Sequence, residues 1–238
     1  MNEKILTQWT TCTTAKPVVV WPDGCRDLIV KIEPEKHPQC FLTGLDKTAY
    51  KINAPSGTTF FGIRLVPGSM AFWEKDQPLS RENLFNLKCL GNRSSSVLHQ
   101  VSTHPEQAPE LLLDCVDTWF TPRKNVTKDF FATLSTPEDH PIIISKSART
   151  FRRHICSETG APPQFWMNLR RVRRAASDIA FSTLPLVEVA LANGFSDQAH
   201  MTREIRRWLG QTPSHVRRNR DSYTFMLRST DAFNLPIT

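Results

Sequence analysis

The sequence predicts an α+β chain, with a mostly antiparallel β-sheet or small barrel at its amino terminus and an all-α carboxy-terminal region. Three observations carry this. Up to residue 66, short β-rich runs alternate with turn formers. From about residue 105 the apolar residues recur at helical spacing. The excess positive charge lies in residues 141–220, which hold 14 basic and five acidic residues against 16 basic and 18 acidic in the remainder.

The expected strands are 17–21 (PVVVW), 26–32 (RDLIVKI), 40–44 (CFLTG), 49–53 (AYKIN) and 58–66 (TTFFGIRLV). Asp23-Gly24 between the first two is a tight-hairpin signal. Val66-Pro67-Gly68-Ser69 closes the strand set, because proline cannot donate to a ladder and glycine relieves the next backbone step. Leu111, Leu112, Cys115, Val116 and Trp119 then mark an amphipathic helix that Thr121-Pro122 ends.

The stretch 135–147 (STPEDHPIIISKS) has two prolines and three consecutive isoleucines and favours an irregular path over a helix. Ser147 caps a helix running to Thr159 with Gly160 as its stop; Phe151 and Ile155 face inward, and Arg149, Arg152 and Arg153 project elsewhere. Pro162-Pro163 opens a long helix whose apolar face is Phe165, Leu169, Val172, Ala176 and Ile179, with Arg170, Arg171, Arg173 and Arg174 around it, candidates for ion pairs or phosphate.

A short helix with Leu186, Val189 and Ala190 stops at Gly194, where the chain needs positive φ. Ser196 or Asp197 caps the next helix. There Met201, Ile205 and Trp208 form one stripe, and Gln198, Ala199, Thr202, Arg203 and Arg206 share the other side. The first stripe packs, and the second is free to touch a partner. The tail 221–238 has no readable pattern.

A net charge of +7 concentrated in one third of the chain attracts phosphates and makes binding salt dependent. Arginine offers two donors to guanine O6 and N7, glutamine pairs with adenine N6 and N7, and alanine or threonine methyls pack on the thymine methyl. No apolar run approaches the roughly 20 residues of a membrane span, and the start MNEKILTQWT lacks a signal-peptide core, so a cytoplasmic, nucleoid-associated protein without a membrane partner is expected. The six cysteines are scattered and read as reduced and mostly buried, and the seven histidines show no ligand spacing, so no metal and no cofactor is expected.

Residues 145–218 resemble the DNA-binding domain of the AraC/XylS family of bacterial transcription regulators. The segments that carry the resemblance are SARTFRRHICSETGAPPQFWMNLRRVRRA (147–175) and, more specifically, VALANGFSDQAHMTREIRRWLGQTPSHVRR (189–218). The resemblance implies two helix-turn-helix units joined by a long helix, with the second helix of each unit in the major groove of an operator. By position, Arg149, Arg152 and Arg153 are base readers in the first unit, and Gln198, Ala199, Thr202 and Arg203 in the second. Arg206, Arg207, Thr212, Ser214 and Arg217 are the phosphate candidates.

The chain departs from the family at 135–147, where a helix of the first unit is expected, so that unit reads as incomplete. DGCRDLIV (23–30) and FGIRLVPGS (61–69) are similar, less specifically, to the β-rich domain that precedes this DNA-binding domain in some members. There Arg26, Asp27 and Arg64 are either ligand contacts or a salt bridge bracing the sheet.

The expected organisation is a β-rich regulatory or sensor region over 1–104, a helical linker over 105–135, the DNA-binding domain over 136–220, and the tail. Double-stranded DNA is the expected partner, with RNA polymerase, a small-molecule effector and a second copy as further candidates. No catalytic residue is assigned. Two other readings stay open: a regulator whose basic domain docks on an acidic protein, and a DNA-repair alkyl acceptor using a cysteine.

Overall fold

A computed structural model describes residues 3–14, 17–72, 85–86, 92–122, 124–135 and 147–223. Its elements are β1 (Ile5–Cys12), β2 (Val18–Val20), β3 (Arg26–Ile32), β4 (Gln39–Leu42), β5 (Tyr50–Ile52), β6 (Thr59–Leu65), β7 (Met70–Ala71), β8 (Phe85–Asn86) and β9 (Phe120–Thr121). The helices are α1 (Asn92–Thr103), α2 (Ala108–Trp119), α3 (Asn125–Ser135), α4 (Ala148–Thr159), α5 (Pro163–Phe181), α6 (Leu186–Ala192), α7 (Gln198–Leu209) and α8 (Pro213–Arg218).

The main sheet is antiparallel, in the order β1-β6-β3-β4-β8. Period-two alternation sends Leu28, Val30, Ile63 and Leu65 to one face, where they bury against Val101 of α1 and Leu112, Cys115, Val116 and Trp119 of α2. On the other face Trp9 lies across Gly62. Any Cβ at that position would collide with the indole, whose Nε1 donates to Asp27 Oδ1 at 3.0 Å.

The Asp23-Gly24 pair does not make the expected hairpin. β2 pairs with β5 in a separate ribbon, while β3 pairs with β4 and β6. Asp23 accepts from the Cys25 amide at 2.8 Å and ion-pairs with Arg64 at 3.0 Å, so the turn redirects the chain from the ribbon into the sheet. Arg64 also reaches Asp27 at 3.1 Å, and Arg26 donates to the carbonyls of Thr43 and Ser69, an arrangement that braces the sheet.

β1 and α1 add to the expected elements, and α1 places helix well before residue 105. Residues 105–135 divide between two cores. α2 covers the sheet, whereas Phe130, Phe131 and Leu134 of α3 join the carboxy-terminal core, with edge-on ring contacts to Phe151 and Trp166. Residues 136–146, where an irregular path is expected, lie outside the described residues.

The carboxy-terminal core gathers Ile155, Leu169, Val172, Ile179, Val189, Met201, Ile205, Trp208 and Val216. Two residues of the amino-terminal region, Trp21 and Leu45, are buried in it as well. The seam is closed by stacked Trp21 and Tyr223 rings 4.5 Å apart, by Arg173 Nη1 donating to the Pro22 carbonyl at 3.3 Å, and by the Ala49 amide donating to the Trp208 carbonyl at 2.9 Å.

Cys12, Cys25, Cys40, Cys115 and Cys156 are free thiols, of which Cys25, Cys40 and Cys115 are buried. Burial pushes the Cys115 thiol up to about 12 and Cys40 further in the same direction, which keeps both unreactive. Among the described residues no helix is long and apolar enough to cross a membrane.

Candidate nucleic-acid interface

The second helix pair is built around a turn that the sequence specifies residue by residue. α6 ends at Ala192. Gly194 takes φ 71°, and the Phe195 amide reaches back to the Ala190 carbonyl at 3.0 Å, the six-to-one bond of a Schellman stop. Phe195 is buried and meets His200 edge-on at 5.3 Å. Asp197, rather than Ser196, caps α7: its Oδ1 accepts from the His200 amide at 2.6 Å, and that bond holds its carboxyl below the usual range.

Met201, Ile205, Trp208 and Leu209 are all at most 3% exposed, which fixes the rotation of α7 about its own axis. Gln198, Ala199, Arg203 and Arg206 are exposed on the remaining surface. Thr202 is half-buried, and its hydroxyl donates to the Gln198 carbonyl at 2.8 Å, which leaves the methyl as its unengaged end.

The first unit shows the same division. Ser147 caps α4 by accepting from the Thr150 amide, Gly160 ends it, and Phe151 and Ile155 are buried. Arg149, Arg152 and Arg153 are exposed. The connector α5 runs unbroken for 19 residues, about 28 Å at 1.5 Å per residue. It buries more than the one expected face, since Trp166, Arg173 and Ala175 lie inside too.

The phosphate candidates divide. Arg206 and Ser214 are exposed. Arg207 is exposed and 3.5 Å from Glu204, a surface pair of little worth. Thr212 caps α8 by accepting from the His215 amide at 3.1 Å. Arg217 is half-buried: Nε donates to the Ile179 carbonyl at 3.1 Å and Nη2 to the Leu184 carbonyl at 2.7 Å, so it ties α8 to the end of α5.

Two connector arginines have structural partners that no spacing rule reveals. Arg173 is buried on the Pro22 carbonyl, and Arg171 lies over the Phe195 ring, 4.8 Å from its centroid. No group of three or more His, Cys, Asp or Glu among the described residues is placed to hold a metal.

A family model described as a helix-turn-helix domain matches residues 143–219. The chain is 32% identical over 165 residues to the transcriptional activator RhaS of Escherichia coli (strain SMS-3-5), covering 68% of this chain and 55% of that protein. It is 35% identical over 72 residues to the transcriptional regulator ExsA of Pseudomonas aeruginosa, covering 30% and 26%, and 34% identical over 90 residues to that organism's ornithine utilization regulator, covering 35% and 26%. The chain spans about half the length of the RhaS proteins it matches. Among solved structures it is similar to ToxT from Vibrio cholerae O395, with TM-score 0.43, 11% identity and coverage of 94% and 99%. With Ser147 and Asp197 capping α4 and α7, Gly194 at the turn and Phe195 in the core, residues 143–219 are a helix-turn-helix domain of the AraC/XylS type.

Proposed function

We propose that this protein is a transcriptional regulator that reads an operator sequence in double-stranded DNA, with α7 in one major groove and α4 in the next. The observation that carries the reading is the two-sidedness of α7. A wholly buried stripe holds the helix, while Gln198, Ala199 and Arg203 are exposed and Thr202 is half-buried beside the stripe, all with side chains suited to base edges. The connector length supports the paired arrangement, because about 28 Å of helix approaches the 34 to 36 Å between successive grooves on one side of the duplex. Arg206, Arg207 and Ser214 hold phosphate in this reading, Arg149, Arg152 and Arg153 read or approach the neighbouring groove, and the chain acts by binding rather than by catalysis. The RhaS, ExsA and ornithine regulators carry transcriptional roles in their names, which agrees with this.

The test compares Arg203→Ala with Arg207→Ala on a duplex selected by the wild-type chain from a randomised library and on a random duplex. Arg203→Ala is expected to lose about 1–3 kcal/mol on the selected duplex and little on the random one. Arg207→Ala weakens both alike and lowers the salt slope by about one. Equal losses on both duplexes for both variants refute the groove assignment.

A further inference from the structure

Arg171 is expected from the sequence to make an ion pair or to approach phosphate, and its surroundings give it a different task. It projects from the middle of α5 onto the turn between α6 and α7. There Nη1 donates to the Gly194 carbonyl at 3.3 Å, Nη2 to Asn168 Oδ1 at 3.2 Å, and the guanidinium carbon sits over the Phe195 ring, 4.8 Å from its centroid. The Phe195 ring in turn meets the His200 ring, and His200 Nδ1 lies 3.1 Å from Ser196 Oγ beside the Asp197 cap. The contacts therefore run from the connector through the turn to the first turn of the second recognition helix.

We propose that Arg171 is a positioning residue for DNA reading: it fixes the N-terminal end of α7 relative to α5, and so sets where Gln198, Thr202 and Arg203 meet the base edges. The inference rests on the operator-reading function proposed above. A planar fork suits the task, since it stacks on a ring and directs donors to two acceptors at once, which a lysine ammonium does not reproduce. The opposite end of α7 is held separately, by the Ala49 amide on the Trp208 carbonyl. Loss of Arg171 therefore loosens the N-terminal end, while the buried stripe and the Trp208 end stay in place.

The experiment uses the full chain and the duplex that wild type selects from a randomised library, with every base pair of the site substituted in turn. Arg171→Met and Arg171→Lys are each expected to bind the selected duplex about tenfold or more weakly, while random-duplex affinity and the salt slope stay at wild-type values. The base pairs that become indifferent should include those that Arg203→Ala makes indifferent and the neighbours read by Gln198 and Thr202, and those read by α4 should keep their effect. Phe195→Leu, which keeps an apolar plug but removes the stacked ring, gives a smaller loss at the same base pairs and serves if the Arg171 variants fold poorly. Equal weakening on selected and random duplexes with a salt slope reduced by about one makes Arg171 a phosphate ligand and overturns the proposal. So does loss spread over both half-sites, or no loss at all. If wild type enriches no sequence, the operator-reading function itself has failed, an outcome distinct from any failure of Arg171.

Discussion

Substitution at Gly194 separates backbone strain from crowding. The residue sits at φ 71°, and a Cβ built there meets no heavy atom within 4 Å, so whatever a side chain costs comes from the left-handed backbone alone. For alanine that is roughly 1–2 kcal/mol. Asparagine visits this region readily and should cost only a fraction of it, whereas valine, with two branches on Cβ, should exceed it. For a chain of this size 1 kcal/mol lowers the melting temperature by about 2–4 °C, so Gly194→Ala should melt roughly 2–8 °C below wild type, Gly194→Asn close to wild type and Gly194→Val lowest. Differential scanning calorimetry on the three variants reads this order directly. If asparagine costs as much as valine, or alanine costs nothing, the turn does not need the left-handed conformation. The contrast is Gly62, where a Cβ runs into the Trp9 indole and side-chain volume sets the penalty instead.

Two further outcomes follow from charges in the structure. Burial, together with the charges of Asp23 and Asp27, raises the Asp46 carboxyl from near 3.8 to about 7. The folded chain thus keeps a proton that the unfolded chain has released, and stability should fall as pH rises from about 4 to about 7, then level off. Asp46→Asn should remove that slope and raise stability at pH 8 by at most about 4 kcal/mol, and on the order of half that once solvent screening of the part-exposed carboxyl is allowed for, seen as a higher melting temperature; a lower melting temperature at pH 8 for the variant contradicts the sign. Asp197→Ala should cost about 0.5–2 kcal/mol through loss of the α7 cap, with Asp197→Asn recovering most of it, both measured by denaturant unfolding.

The helical region is legible in the sequence because its signals are local and agree with one another. Ser147, Asp197, Gly160, Gly194 and Gly210 stand at helix ends, and the stripe of Met201, Ile205 and Trp208 is buried as its spacing requires. What escapes is decided at a distance. The β1 sequence ILTQWTTC is half polar, and it becomes a strand by pairing along β6 with Trp9 seated on Gly62. The α1 sequence NRSSSVLHQVST has weak helical propensity, and it is held by Val101, buried against the sheet, with Val97 and Leu98 packed partly buried beside it. Asp23-Gly24 carries a hairpin signal, yet Arg64, 41 residues on, takes the carboxylate. Arg171, Arg173 and Arg217 look in the sequence like their solvent-facing neighbours. Only the fold shows that backbone carbonyls and a phenyl ring have claimed them.

The seam between the two cores limits how the amino-terminal region can act on DNA reading. The last turn of a helix leaves carbonyls without partners, and the Ala49 amide satisfies one of these at Trp208, so the loop before β5 reaches α7 through a backbone hydrogen bond as well as through the packing of Ala49 on the helical core. Such a bond contributes about 0.5–1.5 kcal/mol net, which by itself alters binding by roughly tenfold at most. A larger effect requires Leu45 to leave the helical core and Trp21 to leave Tyr223, both of which expose apolar surface that is now dry. On the proposed operator-reading function, a displacement of the ribbon that breaks only this bond would change operator affinity by no more than that, and a larger change would need the two cores to part. Leu45 and Trp21 are accordingly the positions where truncation to alanine should change the range of regulation rather than the sequence that is read.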